Sequence, residues 1–289
     1  MGKILRKTAD FIFLCVVIGG LAAVSYPSFS TYINQKFANN EIVEYQESME
    51  DSSEERLAEM KNLADTYNAM LPITFPADPF NGTSVNHFEG TEFENFFMVQ
   101  TGSMLGYVEI PAIDIYLPVY YGTTNEILSE GLGLLENTSL PVGGENTHAV
   151  ISGHTGLASR KLFTDLVQME EGNIFFIHVL NEHFAYQVDQ IKVVWPYETD
   201  DLYIEEGKDY VTLLTCTPFG VNDHRLLVRG VRIDYDFTSE DTDRVNLQVA
   251  TDKYLWMIVL GAAVLMIILT IVIRLAGRNG MKKRERSEP

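Results

Sequence analysis

VTLLTCTP, at residues 211–218, is a run of β-branched and leucine side chains that ends at Cys216 and is closed by a proline. This composition favours a buried strand, and the proline ends the ladder because it has no amide hydrogen to donate. Further β-prone runs, separated by turn-forming residues, lie on both sides of it: 106–111, 115–122, 148–154, 173–179, 183–196 and 225–235. Seven or eight strands at this spacing predict a mainly β domain that closes into a barrel.

Helices are predicted before the barrel and once inside it. The segment 31–70 is polar, acidic and free of proline and glycine. Its later apolar side chains recur close to helical spacing, at Leu57, Met60, Leu63, Tyr67 and Met70. This predicts an amphipathic helix with a Ser52–Glu55 capping box and an end near Pro72, preceded by a less regular helix at about 32–49. One further helix is predicted near 159–169.

Two apolar stretches point to a membrane. Residues 254–273 read YLWMIVLGAAVLMIILTIVI, and a helix of this length matches a hydrocarbon core of about 30 Å. Residues 11–24 are shorter and follow three basic residues, which fits either a cleaved signal peptide or a retained anchor. Both possibilities export the segment between them. Basic residues flank the outer ends of both stretches, so both ends of the chain are expected to be cytoplasmic.

The charge of the chain excludes one class of partner. The net charge is −19, although both ends are basic, so the segment between them is more acidic than the chain as a whole. A strongly acidic exported segment argues against binding to nucleic acid, whose phosphates attract basic surfaces.

Cysteine usage singles out one thiol. Cys15 lies inside the first apolar stretch, which leaves Cys216 alone in the exported segment and without an intrachain disulfide partner there. A solitary thiol is either a buried small hydrophobe or a reactive group. Cys216 ends an apolar strand, where a nucleophile is both rigid and reachable. A thiol with a pKa near 8.5 also needs a cation or base beside it to attack an amide.

A histidine and an arginine are candidates for this role. HAVISGHTG, residues 148–156, brings His154 to the end of an apolar strand between two glycines, although His154 could also simply cap that strand. HRLLVRG, residues 224–230, places Arg225 nine positions after Cys216, so the two can sit side by side on adjacent strands. A guanidinium there can stabilise an oxyanion. Arg229 shares the strand face by alternation, but it fits a surface ion pair better.

At these residues the sequence resembles the sortases, and in detail their class C, pilus-assembling branch. The resemblance rests on SGHTG around His154, TLLTCTP around Cys216 and HRLLVRG around Arg225, and it covers roughly residues 104–235. It implies an eight-stranded sortase-type β-barrel with an N-terminal helical arm and a C-terminal transmembrane helix. It also implies a catalytic set of His154, Cys216 and Arg225.

The family activity implied by this resemblance is transpeptidation at a Gram-positive cell surface. We expect no cofactor, and the carboxylates of the chain form no ligand-spaced loop that singles out a metal site, so metal binding stays open. The thiolate would cleave an LPXTG-like sorting signal after its threonine and form a thioester. A lysine amine of a pilin subunit would then resolve that thioester, so the partners would be pilins and the membrane.

The triplet Asp78, Pro79 and Phe80 is similar to the lid of class C sortases. By that similarity, Asp78 would pair with Arg225, and Phe80 would cover Cys216. Without the resemblance, the same triplet reads as an ordinary Asp-Pro turn.

The predicted layout places the catalytic domain outside the cell and the tail inside it. Its segments are a signal peptide or anchor at 1–26, a helical arm at 27–72, a lid-bearing loop region at 73–103, a catalytic barrel at 104–237, a linker at 238–253, a transmembrane helix at 254–273 and a basic cytoplasmic tail at 274–289.

Two other functions fit parts of the sequence, and a third is disfavoured. A housekeeping sortase that anchors proteins to cell-wall peptide would share the same three catalytic residues and differ only in the resolving amine. An inert surface module would hold Cys216 as an unreactive buried thiol. A hydrolytic cysteine protease is disfavoured because no papain-like cysteine motif is present.

Overall fold

A computed structural model describes residues 2–71, 77–81 and 104–237, together with positions 263 and 267. The α-helices in these ranges are α1 (Gly2–Glu50), α2 (Glu54–Met70) and α3 (Asn125–Glu130). The strands are β1 (Met104–Ile110), β2 (Ile115–Tyr121), β3 (Leu132–Leu134), β4 (Thr147–Ser152), β5 (Ile174–Val179), β6 (Glu182–Val194), β7 (Asp209–Thr217) and β8 (His224–Ile233).

The strands form a closed barrel in the order β1-β2-β3-β4-β7-β8-β6-β5, and β5 pairs with β1 to complete it. The β2–β3 and β4–β7 pairs are parallel, and the remaining pairs are antiparallel. The predicted eight-stranded barrel is therefore confirmed. Sequence patterns did not reveal β3, because it is only three residues long.

Two of these pairings bring the ends of distant segments together. Strands β4 and β7 run parallel and in register up to Ser152 and Leu214, so both end at the same rim of the barrel. Strand β8 begins at that rim because it pairs antiparallel with β7, with Cys216 opposite Arg225. The topology thus gathers the residues after β4, the end of β7 and the start of β8.

An apolar cluster supports this rim on the face of the strands that also carries Cys216 and Arg225. Its buried members are Leu135, Val150, Leu202, Leu214 and Leu227. Burying a leucine side chain contributes about 1.5–3 kcal/mol, so the cluster holds β4, β7 and β8 firmly. Phe80 and Val194, which are themselves only partly buried, pack against the same cluster.

Residues 27–50 of α1 and the whole of α2 pack on the barrel; on α1, the Tyr45 hydroxyl donates to the carbonyl of Leu105 at 2.9 Å. On α2, Met60, Ala64 and Tyr67 are buried. Asn68 on the same helix both donates to and accepts from the backbone of Leu140, at 3.1 and 2.7 Å. The predicted amphipathic helix is therefore present, and it covers apolar barrel surface that would otherwise be exposed to water.

The capping prediction was wrong by one residue. Ser53 is the N-cap of α2, and its side chain accepts a hydrogen bond from the amide of Arg56. Ser52 instead donates its hydroxyl to the carbonyl of Ser48 in the last turn of α1. Two adjacent serines offer the same chemistry, so the sequence alone does not show which of them begins the helix.

The predicted helix near 159–169 is also wrong. The segment consists of turns and a single 3₁₀ turn at Leu166–Gln168. Leu162 has φ +38°, outside the right-handed helical region, and the amide of Phe163 bonds the carbonyl of His154 at 3.1 Å. Buried Leu162 and Phe163 side chains thus hold a loop where propensity favours a helix.

The chain divides into two compact units, residues 27–236 and residues 1–26 with 237–289. Among the described residues, one helix is long and apolar enough to cross a membrane: the Cys15–Glu50 part of α1, near the N-terminus, where a signal sequence would meet the same criterion. The predicted transmembrane helix at 254–273 lies outside the described residues, except that Ala263 and Ile267 are helical. The linker at 238–253, the tail at 274–289 and most of 73–103 also lie outside them.

Candidate active site

Cys216 lies near the end of β7, at the rim of the barrel. It is the penultimate residue of β7, it is 9% exposed, and it is directly opposite Arg225 on β8. Residues directly opposite each other in an antiparallel pair have Cα atoms about 4.5–5.5 Å apart. The β7–β8 pairing therefore holds the thiol and the guanidinium as neighbours.

Arg225 is fixed by hydrogen bonds on two of its edges. Its Nη1 donates to the backbone carbonyls of Asn222 and His224, at 3.1 and 3.0 Å. Its Nε and Nη2 donate to the two carboxylate oxygens of Asp78, each at 2.7 Å. The contact between Asp78 and Arg225 that the resemblance implies is therefore present. Bidentate pairs of this kind are among the strongest and most directional in proteins.

Phe80 lies between the arginine and the histidine. Its ring centroid is 5.2 Å from the Arg225 guanidinium carbon and 5.3 Å from the centroid of the His154 ring. Pro79, which lies between Asp78 and Phe80 in the chain, is buried. The amide of Asn81 donates a hydrogen bond to the carbonyl of Asp78 at 3.5 Å, which closes a turn. The triplet thus has the turn geometry expected of Asp-Pro and also closes over two of the predicted catalytic residues.

His154 lies in the loop that follows β4. The preceding residue, Gly153, donates its amide to the carbonyl of Leu214 at 3.0 Å, and its carbonyl accepts the Thr215 hydroxyl at 2.7 Å. A Cβ at Gly153 would lie 2.6 Å from Leu132 and 2.8 Å from Phe163, so only glycine fits. The imidazole is therefore carried by a segment tied to β7 next to Cys216.

The electrostatics of this closed arrangement favour neutral groups. Burial raises the pKa of the Cys216 thiol to about 11, with the Asp78 carboxylate adding to the rise and the Arg225 charge opposing it. Burial also lowers the pKa of His154 below its ordinary value. At neutral pH the closed site therefore holds a thiol and an imidazole, whereas attack on an amide needs a thiolate.

Arg229 occupies a different environment from Arg225. It forms a bidentate pair with Asp189, at 3.1 and 2.8 Å, and a further contact with Glu205 at 3.3 Å. Its guanidinium carbon also lies 4.2 Å from the centroid of the Tyr210 ring. These partners match the surface ion pair expected for Arg229 and keep it away from the thiol.

Three neighbours of the site were not predicted from the sequence. They are Thr215, the Asn222 carbonyl and Trp195, whose ring centroid lies 4.0 Å from that of His224. Thr215 belongs to the TLLTCTP motif, but threonine is so common in strands that its hydroxyl carried no separate signal. Within the described residues, no group of three or more His, Cys, Asp or Glu side chains is arranged to hold a metal ion.

Comparison with known proteins places this barrel in a family. Residues 108–233 match the sortase domain. The solved Sortase C of Streptococcus pneumoniae is 47% identical, with 67% of this chain and 96% of that chain covered and a TM-score of 0.62. The pilus-related Sortase C of Group B Streptococcus is 40% identical, with 66% and 96% covered and a TM-score of 0.61.

Curated relatives match over a shorter part of their length. Sortase A of Streptococcus agalactiae serotype III (strain NEM316) is 30% identical over 43% of this chain and 53% of its own, so this chain spans about half of that relative. The Sortase C structures are covered almost completely and at higher identity. The chain therefore belongs to the sortase family, within its class C branch.

Proposed function

We propose that this protein is a cysteine transpeptidase that cleaves an LPXTG-like sorting signal after its threonine and joins the acyl group to a lysine amine of a pilin subunit. The observation that carries the proposal is the register pair of Cys216 and Arg225 at the barrel rim, beside the loop that bears His154. A nucleophile, a fixed double hydrogen-bond donor and a titratable base are the three groups that acyl transfer needs.

In the first half-reaction, the thiolate of Cys216 attacks the threonine carbonyl carbon, and the carbonyl electron pair moves to oxygen. Arg225 donates hydrogen bonds to this oxyanion through the edge that Asp78 occupies in the closed state. The intermediate then collapses, and the bond to the glycine nitrogen breaks. His154 in its protonated form gives that nitrogen a proton, so a thioester and a free glycine amine result.

In the second half-reaction, the lysine ε-amine attacks the thioester carbonyl carbon. Neutral His154 accepts the proton that the amine loses, and the carbon–sulfur bond breaks to restore the thiolate. The product is an isopeptide bond between two pilin subunits. No cofactor or metal takes part in this scheme.

The Asp78–Pro79–Phe80 triplet acts as an autoinhibitory lid. Asp78 uses the two Arg225 donors that an oxyanion needs, and its charge contributes to the raised pKa of Cys216. Phe80 contacts the His154 ring and the Arg225 guanidinium, which a sorting signal must approach. Lid opening therefore both frees Arg225 and favours the thiolate.

The assignment of pilin substrates rests on similarity. The Sortase C of S. pneumoniae has pilin substrate specificity, and the Sortase C of Group B Streptococcus is pilus-related. The catalytic barrel, residues 104–237, would lie outside the cell membrane. An anchor or signal peptide at 1–26 and a transmembrane helix at 254–273 would flank it, with a cytoplasmic tail at 274–289.

Mass spectrometry of the full-length protein in detergent tests the proposal. After incubation with a panel of LPXTG-like peptides, we expect an acyl adduct on Cys216 that a pilin peptide with a lysine discharges as an isopeptide product. The Cys216→Ala variant should form no adduct, and Cys15→Ala should behave as wild type. Discharge by a cell-wall stem peptide alone would identify a housekeeping sortase, and a thiol inert to every peptide after lid removal would identify a non-enzymatic module.

A further inference from the structure

The hydroxyl of Thr215 links the end of β7, which carries the proposed nucleophile Cys216, to the residue just before the proposed base His154. Thr215 directly precedes Cys216, and its Oγ1 donates to the carbonyl oxygen of Gly153, which directly precedes His154, at 2.7 Å. Thr215 is only 2% exposed. A buried hydrogen bond between side chain and backbone, one residue from each reacting group, is well placed to control their alignment.

We propose that Thr215 is a positioning residue that sets the location of His154 relative to Cys216 by anchoring the Gly153 carbonyl. The proposal rests on the proposed acyl transfer, because only that chemistry makes the alignment matter for rate. Thr215 itself is not assigned any contact with the substrate.

The backbone explains why a side chain is needed at this point. Parallel pairing between β4 and β7 ends at Ser152 and Leu214, and the amide of Gly153 makes one more bond to the Leu214 carbonyl at 3.0 Å. Beyond this bond the chain turns away into the His154 loop. The Thr215 hydroxyl continues the connection between the strands by one further hydrogen bond.

Other contacts limit how the loop can respond if that bond is lost. The His154 carbonyl accepts the amide of Phe163 at 3.1 Å, and Gly153 packs against Phe163 so closely that no Cβ would fit. The segment next to the imidazole is therefore fixed at the Gly153 amide, the Gly153 carbonyl and the His154 carbonyl, and further along the loop the amide of Gly156 donates to the Thr164 hydroxyl at 3.1 Å. Of the three bonds at Gly153 and His154, the one from Thr215 depends on a side chain, so it is the one that mutation can remove.

Valine and serine at position 215 separate the hydroxyl from the shape of the side chain. Thr215→Val keeps the shape, loses the donor and leaves a buried carbonyl without its hydrogen bond. Thr215→Ser keeps the donor and loses a methyl group. Thr147→Val is the matched control, because Thr147 is also buried and donates to the carbonyl of Gly144 at 2.6 Å, but at the opposite end of β4.

The first measurement is independent of any substrate. NMR titration of the His154 imidazole in the full chain reports its pKa, which burial holds below the ordinary value. A loosened loop exposes the ring to water, so Thr215→Val should raise the pKa of His154 toward that ordinary value. Thr215→Ser and Thr147→Val should leave it at the wild-type value.

The second measurement is the rate of Cys216 acylation by a sorting peptide, followed across pH. Misplacement of a catalytic group by about 1 Å can cost roughly a hundredfold in rate, so we expect a loss of up to about a hundredfold for Thr215→Val. Thr215→Ser should restore most of the rate. The pH profile of Thr215→Val should shift with the pKa of His154, which a general loss of stability would not produce.

These outcomes separate this proposal from the function on which it rests. If Thr215→Val titrates His154 as wild type does and is acylated at the wild-type rate, the positioning role is refuted. If wild type is never acylated, the proposed function fails, and the imidazole titration still decides whether Thr215 anchors the loop. Should Thr215→Val fail to fold, Thr215→Ala compared with Thr215→Ser isolates the hydroxyl in the same two measurements.

Discussion

The carboxylate of Asp78 accepts two parallel hydrogen bonds from the Arg225 guanidinium, each 2.7 Å long, across 147 positions of sequence. Both residues are buried, at 9% and 8% exposure, so the pair is shielded from solvent and salt. A contact this far apart in sequence fastens the lid to the strand that faces the thiol. The proposed autoinhibited state would therefore rest on this ion pair as well as on the contacts of Phe80 with Arg225 and His154.

Removing the lid carboxylate should activate the thiol. In Asp78→Ala, the negative charge that raises the pKa of Cys216 is gone, and Arg225 remains to lower it. We expect alkylation of Cys216 at pH 7.5 to become at least about threefold faster for each unit by which the thiol pKa falls. Asp189→Ala is the matched control, because it breaks a bidentate pair with Arg229 on the same strand. Equal rates in both variants would contradict the lid assignment.

The pH dependence of thiol labelling should report the closed lid. With a thiol pKa of about 11, the thiolate fraction in wild type rises about tenfold per pH unit through neutral pH and reaches one half only near pH 11. Phe80→Ala removes the ring that contacts Arg225 and His154, so the lid should loosen and the midpoint should move to lower pH. Phe37→Ala, at an exposed position on α1, is the control. An unchanged midpoint in Phe80→Ala would mean that the triplet is an ordinary turn.

The strands of the barrel could be predicted from the sequence because each strand depends on a local pattern of residues. Each long strand is a β-branched and aromatic run bounded by turn residues, as in the stretch that became β7. The failures arose where tertiary contacts override local preference. Leu162 adopts a positive φ because its side chain and that of Phe163 are buried, and the propensity of 159–169 for helix does not reveal that burial.

The meeting of His154, Cys216 and Arg225 at one rim could be anticipated from the sequence, but the electrostatic state of these groups could not. The motifs around His154, Cys216 and Arg225 identified the residue types, and the strand pairing brings them to one rim. The proposed reaction uses a thiolate on Cys216 and a protonated imidazole on His154. The described structure instead favours the neutral pair, because burial and Asp78 raise the pKa of Cys216 and burial lowers that of His154. Those effects depend on how closely the lid packs, which no local pattern encodes.

Arg225 should be needed for acylation even when the lid is already open. In an Asp78→Ala background, adding Arg225→Ala removes the oxyanion donor without leaving a buried carboxylate unpaired. We expect acylation by a sorting peptide to fall roughly a hundred- to a thousandfold relative to Asp78→Ala alone, or about 3 kcal/mol. Arg229→Ala in the same background should retain the rate, since Arg229 faces Asp189 and Glu205. Full acylation without Arg225 would exclude it as the transition-state donor.

Acid should destabilise the barrel through His148, which is buried in β4. Its Nδ1 lies 2.8 Å from the Tyr203 carbonyl, which can only accept, so Nδ1 carries the proton and Nε2 accepts from the Thr212 hydroxyl at 2.7 Å. The neutral ring is thus satisfied on both sides, and burial lowers its pKa to about 4.

Between pH 6.5 and 4, the His148 side chain is therefore protonated in the unfolded chain but neutral in the folded chain. The free energy of unfolding consequently falls as the pH falls through this window. The contribution of His148 is fully present above pH 6.5, and about 3 kcal/mol should be lost by pH 4. The glutamine amide also offers an N–H donor group and a carbonyl acceptor but does not titrate, so His148→Gln should lose less stability between pH 7.5 and 4.5 in urea denaturation. His224→Gln, at a partly exposed histidine, should keep the wild-type loss. An equal acid loss in wild type and His148→Gln would place the acid sensitivity elsewhere, for instance in the contact between His178 and His183.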